Sequence, residues 1–198
     1  MKSRFQASSF ALAGALALFI PSLFITGCQP TPKPPRGYDN VGLQAGTLSE
    51  VNPNDIVVLP VENTTGKSLP LDQVREEFHA GLVRLRYSPL SIDYVDARRP
   101  IEASYAPGQL SEEAALRVVI TGWDDSSWIS HSRLVIDAEV HLLDATLGQP
   151  IWGGEVSRRV DVMSDIPSSA QNRTLMAHAI EEFVGDVLAS MPPRDPRR

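Results

Sequence analysis

Three ionisable side chains alternate along one predicted strand, and their spacing is the best in the chain for chemistry. Asp137, Glu139 and His141 stand two residues apart, which puts them on one face of a strand with about 7 Å between successive members. Such a row could ligate a metal ion or supply an acid and a base. The same alternation is typical of the solvent side of a half-buried strand. We therefore expect no metal and no catalytic residue, and keep a small-molecule-binding, metal-binding or enzymatic module on this face as the alternative.

The remaining candidates for catalysis are weaker. His79, His131 and His178 show no ligand spacing with one another. Gly66-Lys67-Ser68 follows a predicted strand, but a phosphate-binding loop needs a glycine where this chain has Val61. The sequence also has no nucleophile signature of the Gly-x-Ser-x-Gly type. These observations predict a protein that is not an enzyme and that carries no cofactor.

Two of the three tryptophans lie in one polar connection between predicted strands, the segment from Trp123 to Trp128. Tryptophan concentrates binding energy at protein interfaces, so both are candidates for a partner-binding site. The alternative is that Trp123 ends a strand facing the core and Trp128 covers a sheet edge. Because aspartate and serine precede Trp128 and Ser130 and His131 follow it, we expect Trp128 to be exposed in the free domain.

Cys28 is the only cysteine, and it follows an export signal. Residues 1–4 carry two positive charges and residues 10–20 are apolar, which is typical of a signal peptide. Pro21 and Ser22 interrupt the run before it reaches the roughly 20 apolar residues of a membrane span. A lone thiol on an exported protein cannot form an internal disulfide, so another use for Cys28 is expected.

The four residues Ile25-Thr26-Gly27-Cys28 resemble the lipobox of bacterial lipoproteins. The resemblance implies cleavage before Cys28, diacylglycerol on its thiol and acylation, for instance by palmitate, of the new amine. More than one acyl chain is what stable anchoring to a bilayer requires. Gln29 follows in place of the aspartate that resembles an inner-membrane retention signal. We therefore expect a lipid-anchored protein of the outer membrane that faces the periplasm.

The composition of the mature chain limits its partners. Removing residues 1–27 takes away Lys2 and Arg4 and leaves 16 basic against 24 acidic side chains, a formal charge of −8. An acidic surface argues against nucleic acid and against direct adhesion to anionic lipid. The acyl group on Cys28 is the expected contact with the bilayer.

The sequence divides into four parts. Residues 1–27 are the signal peptide, residues 28–54 are read as an acylated cysteine and a proline-rich tether, residues 55–191 as one globular domain, and residues 192–198 as a polar tail. The tether shows no apolar period and contains five prolines, a composition typical of an extended spacer.

Within the domain, apolar spacing predicts an α+β fold: an α/β sandwich with one mixed sheet of about five strands and two main helices on one face. The order is β-α-β-(short α)-β-β-β-α.

Arg75 is expected on the outer side of the first main helix. The hairpin register predicted from the apolar sets puts Asp137 near Arg159 and His141 near Glu155. The predicted strands are 55–61, 91–95, 116–123, 134–143 and 151–162, and the predicted helices are 71–86, a short turn at 111–115, and one beginning at the capping box of residues 168–171 and ending near 191.

Two stretches, residues 55–66 and residues 142–152, resemble the best-marked segments of a group of envelope lipoproteins with an anticodon-binding-like α/β domain. The group includes CsgG-like lipoproteins of curli secretion, lipoprotein activators of penicillin-binding proteins and accessory lipoproteins of polysaccharide export. The resemblance implies an accessory protein that binds an envelope protein in assembly, secretion, cell-wall or polysaccharide machinery, or that self-associates. A pore would need spanning strands of about 9–11 residues, and the polar connection from Asp124 to Arg133 is too short for them.

Overall fold

The computed structural model describes residues 39–98, 108–162 and 169–197. These residues form one mixed sheet of seven strands in the order β1-β7-β6-β5-β2-β4, with β3 paired beside β5. The strands are β1 (Asp39–Val41), β2 (Asp55–Val58), β3 (Glu62–Asn63), β4 (Ser88–Pro89), β5 (Ala114–Asp124), β6 (Arg133–Asp144) and β7 (Pro150–Asp161). The helices are α1 (Leu48–Val51), α2 (Leu71–Arg84), α3 (Ile92–Arg98), α4 (Trp128–His131) and α5 (Ser169–Leu188).

The α+β sandwich with a mixed sheet is confirmed. Strands β1, β7, β6 and β5 pair antiparallel in succession, whereas β2 runs parallel to both β5 and β4, and β3 runs parallel to β5. Helices α2 and α5 pack on the same face through Phe78 and Phe183, both fully buried. The apolar alternation of β6 is buried as expected, because that face lies beneath these helices. Within the described ranges no helix combines the length and apolarity needed to cross a bilayer.

The other face of the sheet is partly covered by α3, in a segment predicted to be a strand. That prediction is wrong: Ile92–Arg98 is helical, and Ser91 Oγ accepts a hydrogen bond from the Tyr94 amide at 3.3 Å. Ile92 and Val95 have helical spacing, and Val95 is fully buried with Val57. Five residues are too few for periodicity to separate a strand from a helix.

The predicted helical turn at residues 111–115 is also wrong. Ser111 has a positive φ of 62°, and the buried Glu112 carboxylate accepts hydrogen bonds from the amides of Gly108 and Leu110. Ala114 then opens β5. The Glu112 carboxylate thus caps an irregular turn. The glutamates and alanines of residues 112–115 are common in helices, so their residue types predict a helix and not this turn.

The folded domain begins earlier than residue 55, so the predicted end of the tether is wrong. Strand β1 pairs with β7 in residues 39–41, and Gly42 and Gln44 continue the hydrogen bonding to β7. Leu48 is 1 % exposed in the main core. A three-residue edge strand is held by backbone hydrogen bonds, so it needs no apolar period and leaves little trace in the sequence.

The residues after α5 likewise pack on the domain, and the predicted polar tail is corrected in this respect. The Arg194 amide donates to the Leu85 carbonyl at 2.9 Å. Asn52 and Asp195 exchange two hydrogen bonds, at 2.9 and 3.0 Å. The Tyr87 hydroxyl donates to the Pro192 carbonyl at 2.7 Å.

Tyr87 predicts a measurable alkaline dependence of stability. Burial raises the pKa of Tyr87 from 10.0 to about 12, against the opposing charge of Arg194. A raised pKa means that the unfolded chain ionises first, so the stabilising contribution is complete below pH 10 and is lost as the pH rises towards 12. Urea unfolding at stepped pH should show this decline in the wild type and a shallower one in Tyr87→Phe. At pH 7 the same variant should lose about 1 kcal/mol with the hydrogen bond; identical pH profiles would contradict the assignment.

Arg75 lies inside the domain, which corrects its predicted outward placement. Its side chain is 5 % exposed, its Nε donates to the Val58 carbonyl at 3.0 Å and its Nη1 donates to both carboxylate oxygens of Asp96 at 2.8 Å. The guanidinium therefore joins α2, the end of β2 and α3. A buried cation needs such partners because desolvation of an unpaired charge is costly.

Candidate functional site

The residues proposed for lipid attachment, Ile25, Thr26, Gly27 and Cys28, lie outside the described residues. The predicted signal peptide before them does so as well. Their roles stay predictions from the sequence.

The two candidate tryptophans are buried. Trp123 is 7 % and Trp128 is 4 % exposed, and both belong to the main core. Trp128 opens α4, and its indole Nε1 donates a hydrogen bond to Asn172 Oδ1 in the first turns of α5. The expectation that Trp128 is exposed is wrong: α5, distant in sequence, supplies the apolar cover that the local polar residues lack.

The tryptophan segment nevertheless borders an open cleft between α4 and α5. The cleft has a volume of about 370 Å³, within the range of sites that accept a side chain or a small ligand. Trp128 forms one wall, and the adjacent Ile129 is 78 % exposed. The lining residues are Asp125, Trp128, Ile129, Asn172, Arg173 and Met176. The lining is mixed, since Trp128, Ile129 and Met176 are apolar and the other three residues are polar or charged, and its apolar part can receive an apolar group.

Lys67 supports the loop next to this cleft. Its Nζ donates to the Trp123 carbonyl at 2.9 Å and pairs with Asp125 Oδ1 at 3.1 Å. Gly66 has a φ of +72° with open space where a side chain would lie. In this structure Lys67 ties the turn after β3 to the end of β5, which is a structural use of the Gly66-Lys67-Ser68 sequence.

Asp137, Glu139 and His141 do share one face of β6, as their spacing predicted, but their neighbours differ from the expected ones. Asp137 pairs with Ser157, Glu139 with Glu155 and His141 with Gly153. The predicted neighbours Arg159 and Glu155 are therefore each displaced by two positions. The cause is the tighter closure of the hairpin, where the Asp144 amide donates to the Gln149 carbonyl at 2.8 Å and the register shifts after Leu142.

Of the three residues, Asp137 is hydrogen-bonded across the sheet, and Arg117, which lies opposite His141, is paired with β3. The Ser157 hydroxyl donates to Asp137 Oδ1 at 2.6 Å. Arg117, opposite His141, pairs with Glu62 through two hydrogen bonds of 2.8 and 3.0 Å. This hydrogen bonding, the chief cause, and the charges of Glu62 and Glu139 raise the pKa of Arg117 against partial desolvation. Among the described residues, no three histidine, cysteine, aspartate or glutamate side chains are placed to hold a metal ion.

Sequence reasoning missed two exposed apolar side chains. Ile129 lines the cleft, and Leu147, at the tip of the β6–β7 turn, is 70 % exposed. Each is a large apolar residue inside a polar connection, and that contrast was the available signal. The adjacent Trp128 is the larger residue and the more usual one at interfaces, so residue type alone favoured it over Ile129.

No family model matches the sequence, and no curated protein matches it. Solved structures resemble the domain, and three of them illustrate the likeness. Lipoprotein GNA1162 from Neisseria meningitidis has 19 % identity, covers 66 % of this chain and 98 % of that chain, and has a TM-score of 0.48. LpoB from E. coli has 15 % identity, covers 78 % and 91 %, and has a TM-score of 0.42.

The third structure is the PelC dodecamer from Paraburkholderia phytofirmans. It has 12 % identity, covers 77 % of this chain and 96 % of that chain, and has a TM-score of 0.51. At this identity the likeness concerns the fold alone. The domain therefore shares its α+β fold with PelC over most of both chains.

Proposed function

We propose that this chain is an accessory lipoprotein of the bacterial envelope, anchored through acylated Cys28 and binding an envelope protein through its folded domain without forming a pore. The observation that carries the proposal is the lone thiol at Cys28 directly after Ile25-Thr26-Gly27. It precedes a domain with the fold of PelC.

The anchor follows from the chemistry of the thiol. Two or three acyl chains give stable attachment, whereas one gives only marginal binding. The mature surface is acidic, so attraction to anionic lipid would not hold the protein at a bilayer. Gln29 in the position after the cysteine favours the outer membrane, with the domain facing the periplasm.

Two surfaces of the domain can serve a protein partner. One is the cleft between α4 and α5, where exposed Ile129 adjoins Arg173. The other is the face of β6 and β7 away from α2 and α5, where Glu139 and Glu155 are exposed. A binding role needs such surfaces and no reactive group.

The proposal also admits a second copy of the chain as the partner. The structure of PelC is described as a dodecamer, and the shared fold makes an assembly of identical chains a reasonable arrangement here. The partner is accordingly an envelope protein, a second copy of the chain, or both.

Anchoring is tested by changing Cys28 to alanine. No other thiol exists, so palmitate labelling should fall to background and the protein should leave the membrane fraction or accumulate uncleaved. Gln29→Ala, which keeps the thiol, is the matched control and should label like the wild type. Wild-type labelling of Cys28→Ala would disprove the anchor.

Partner binding is tested separately, in cells that produce the anchored protein. A photo-crosslinking residue placed at Ile129 should yield specific products with an envelope protein or with the chain itself, identified by mass spectrometry. The same residue at Val83, an apolar position 54 % exposed on α2, is the control. Equal products at both positions, or none from positions across the domain, would contradict an accessory role.

A further inference from the structure

We propose that copies of this protein associate head to tail, with Leu147 of one copy inserted into the cleft between α4 and α5 of the next. This builds on the self-association included in the proposed function and names the surfaces that carry it. Ile129 and Leu147 are the two most exposed large apolar side chains in the described part of the chain. Ile129 lines the cleft, and Leu147 is the inserting group.

Leu147 is held rigidly in an outward position. Asp144 Oδ1 accepts hydrogen bonds from the amides of Thr146 and Leu147 at 2.8 and 2.7 Å. The Gly148 amide donates to the Asp144 carbonyl at 2.8 Å, and Gly148 takes the positive φ of +65° that closes the turn. A preorganised turn loses little conformational entropy when it docks.

The cleft matches a leucine side chain in size and character. A cavity of about 150 Å³ already holds a benzene molecule, and the cleft offers about 370 Å³. Trp128 is fixed by its hydrogen bond to Asn172. Met176 can adjust to the shape of an incoming group, since methionine is flexible and polarisable.

Charge also matches across the proposed contact, because Asp125, the acidic residue of the cleft lining, is already paired with Lys67 at 3.1 Å. Arg173 lies on the cleft, is exposed, and makes no ion pair with a described residue. Asp144, at the base of the Leu147 turn, supplies a carboxylate that is partly exposed. A copy docked through Leu147 brings these opposite charges to the rim of the contact, where they favour this orientation over others.

The two surfaces lie at opposite ends of one strand. Helix α4 precedes β6 and the Leu147 turn follows it, so the 12 residues of β6 separate them by roughly 35 Å. A copy cannot satisfy its own cleft. The contact joins two different surfaces, and its head-to-tail repetition builds a ring or a filament. A reciprocal dimer of antiparallel copies would instead close both contacts within two chains, and the size of the assembly separates these two arrangements.

The test uses the purified lipidated protein in detergent, with mass determined by sedimentation velocity across a concentration series. Leu147→Asp removes the inserting group, and Ile129→Asp places a carboxylate in the apolar part of the cleft. Because both side chains are exposed, thermal unfolding should match the wild type. We expect the wild type to form species larger than dimers and each variant to weaken association at least about thirtyfold, as expected for a hot spot.

Mixing the two variants provides the decisive measurement. Leu147→Asp keeps an intact cleft and Ile129→Asp keeps an intact leucine, so the mixture should give one-to-one dimers and nothing larger. Val83→Asp, the control, should assemble like the wild type. A wild type that stays monomeric or stops at dimers, a mixture that stays monomeric, or variants that assemble normally would overturn the inference. A monomer that still depends on Cys28 for anchoring would overturn this inference alone and leave the proposed function standing.

Discussion

Trp128→Ala is expected to lower the free energy of unfolding by about 3–5 kcal/mol, the range for removing a large aromatic side chain from a core. Trp128 is 4 % exposed, so its replacement leaves a cavity between α4 and α5. It also removes the donor to Asn172 Oδ1. Denaturation by urea, followed by circular dichroism, measures the loss.

Two companion variants divide this effect into packing and hydrogen bonding. Asn172→Ala removes the acceptor and should cost about 1–3 kcal/mol, because it leaves a buried indole N–H unpaired. Trp128→Phe removes the same hydrogen bond and keeps most of the apolar contact. Its loss of unfolding free energy should therefore be smaller than that of Trp128→Ala. A loss within about 0.5 kcal/mol for Trp128→Ala, the range of surface substitutions, would show that this side chain is exposed in solution.

Gly153→Ala is expected to cost about 3 kcal/mol or more, or to prevent folding, because two backbone requirements meet at this residue. Its φ of +132° is one that side-chain-bearing residues rarely adopt. A β-carbon there would lie 2.8 Å from His141 Cα, 2.9 Å from the Val140 carbonyl carbon, and closer still to that carbonyl oxygen. These are backbone atoms of the neighbouring β6, so they cannot move without disrupting the β6–β7 pairing.

Two other glycines supply the controls for this measurement. Gly148 has a φ of +65° with nothing within 4 Å of a β-carbon, so Gly148→Ala should cost only the conformational penalty of about 1–2 kcal/mol. Gly185 lies in α5 and has the same open space, so Gly185→Ala should stabilise the domain by about 0.5–1 kcal/mol. If Gly153→Ala lost no more stability than Gly148→Ala, the close approach of β7 to β6 would be contradicted.

The sequence by itself determined the fold class and the central elements. The alternation from Leu134 to Leu142 specified β6 and its buried face, because side chains of a strand alternate strictly between two faces. The spacing of Val74, Phe78 and Leu82 specified α2 in the same way. Such patterns are local, and burial on one side makes them unambiguous.

The secondary structure of the short segments could not be predicted from the sequence, because it depends on what those segments contact. Residues 92–98 are helical since Val95 has Val57 to pack against, and residues 39–41 form a strand since β7 offers a free edge. The position of Arg75 depended on Asp96, 21 residues away. None of these contacts produces a periodic spacing of apolar residues in the sequence.

The candidate site divides in the same manner. The sequence selected Cys28 and the segment from Trp123 to Trp128 by residue type alone. Only the tertiary structure decided that Trp128 is covered by α5 while Ile129 beside it is exposed. Burial depends on what a distant part of the chain brings to a residue, and the polar residues on either side of Trp128 carry no information about α5.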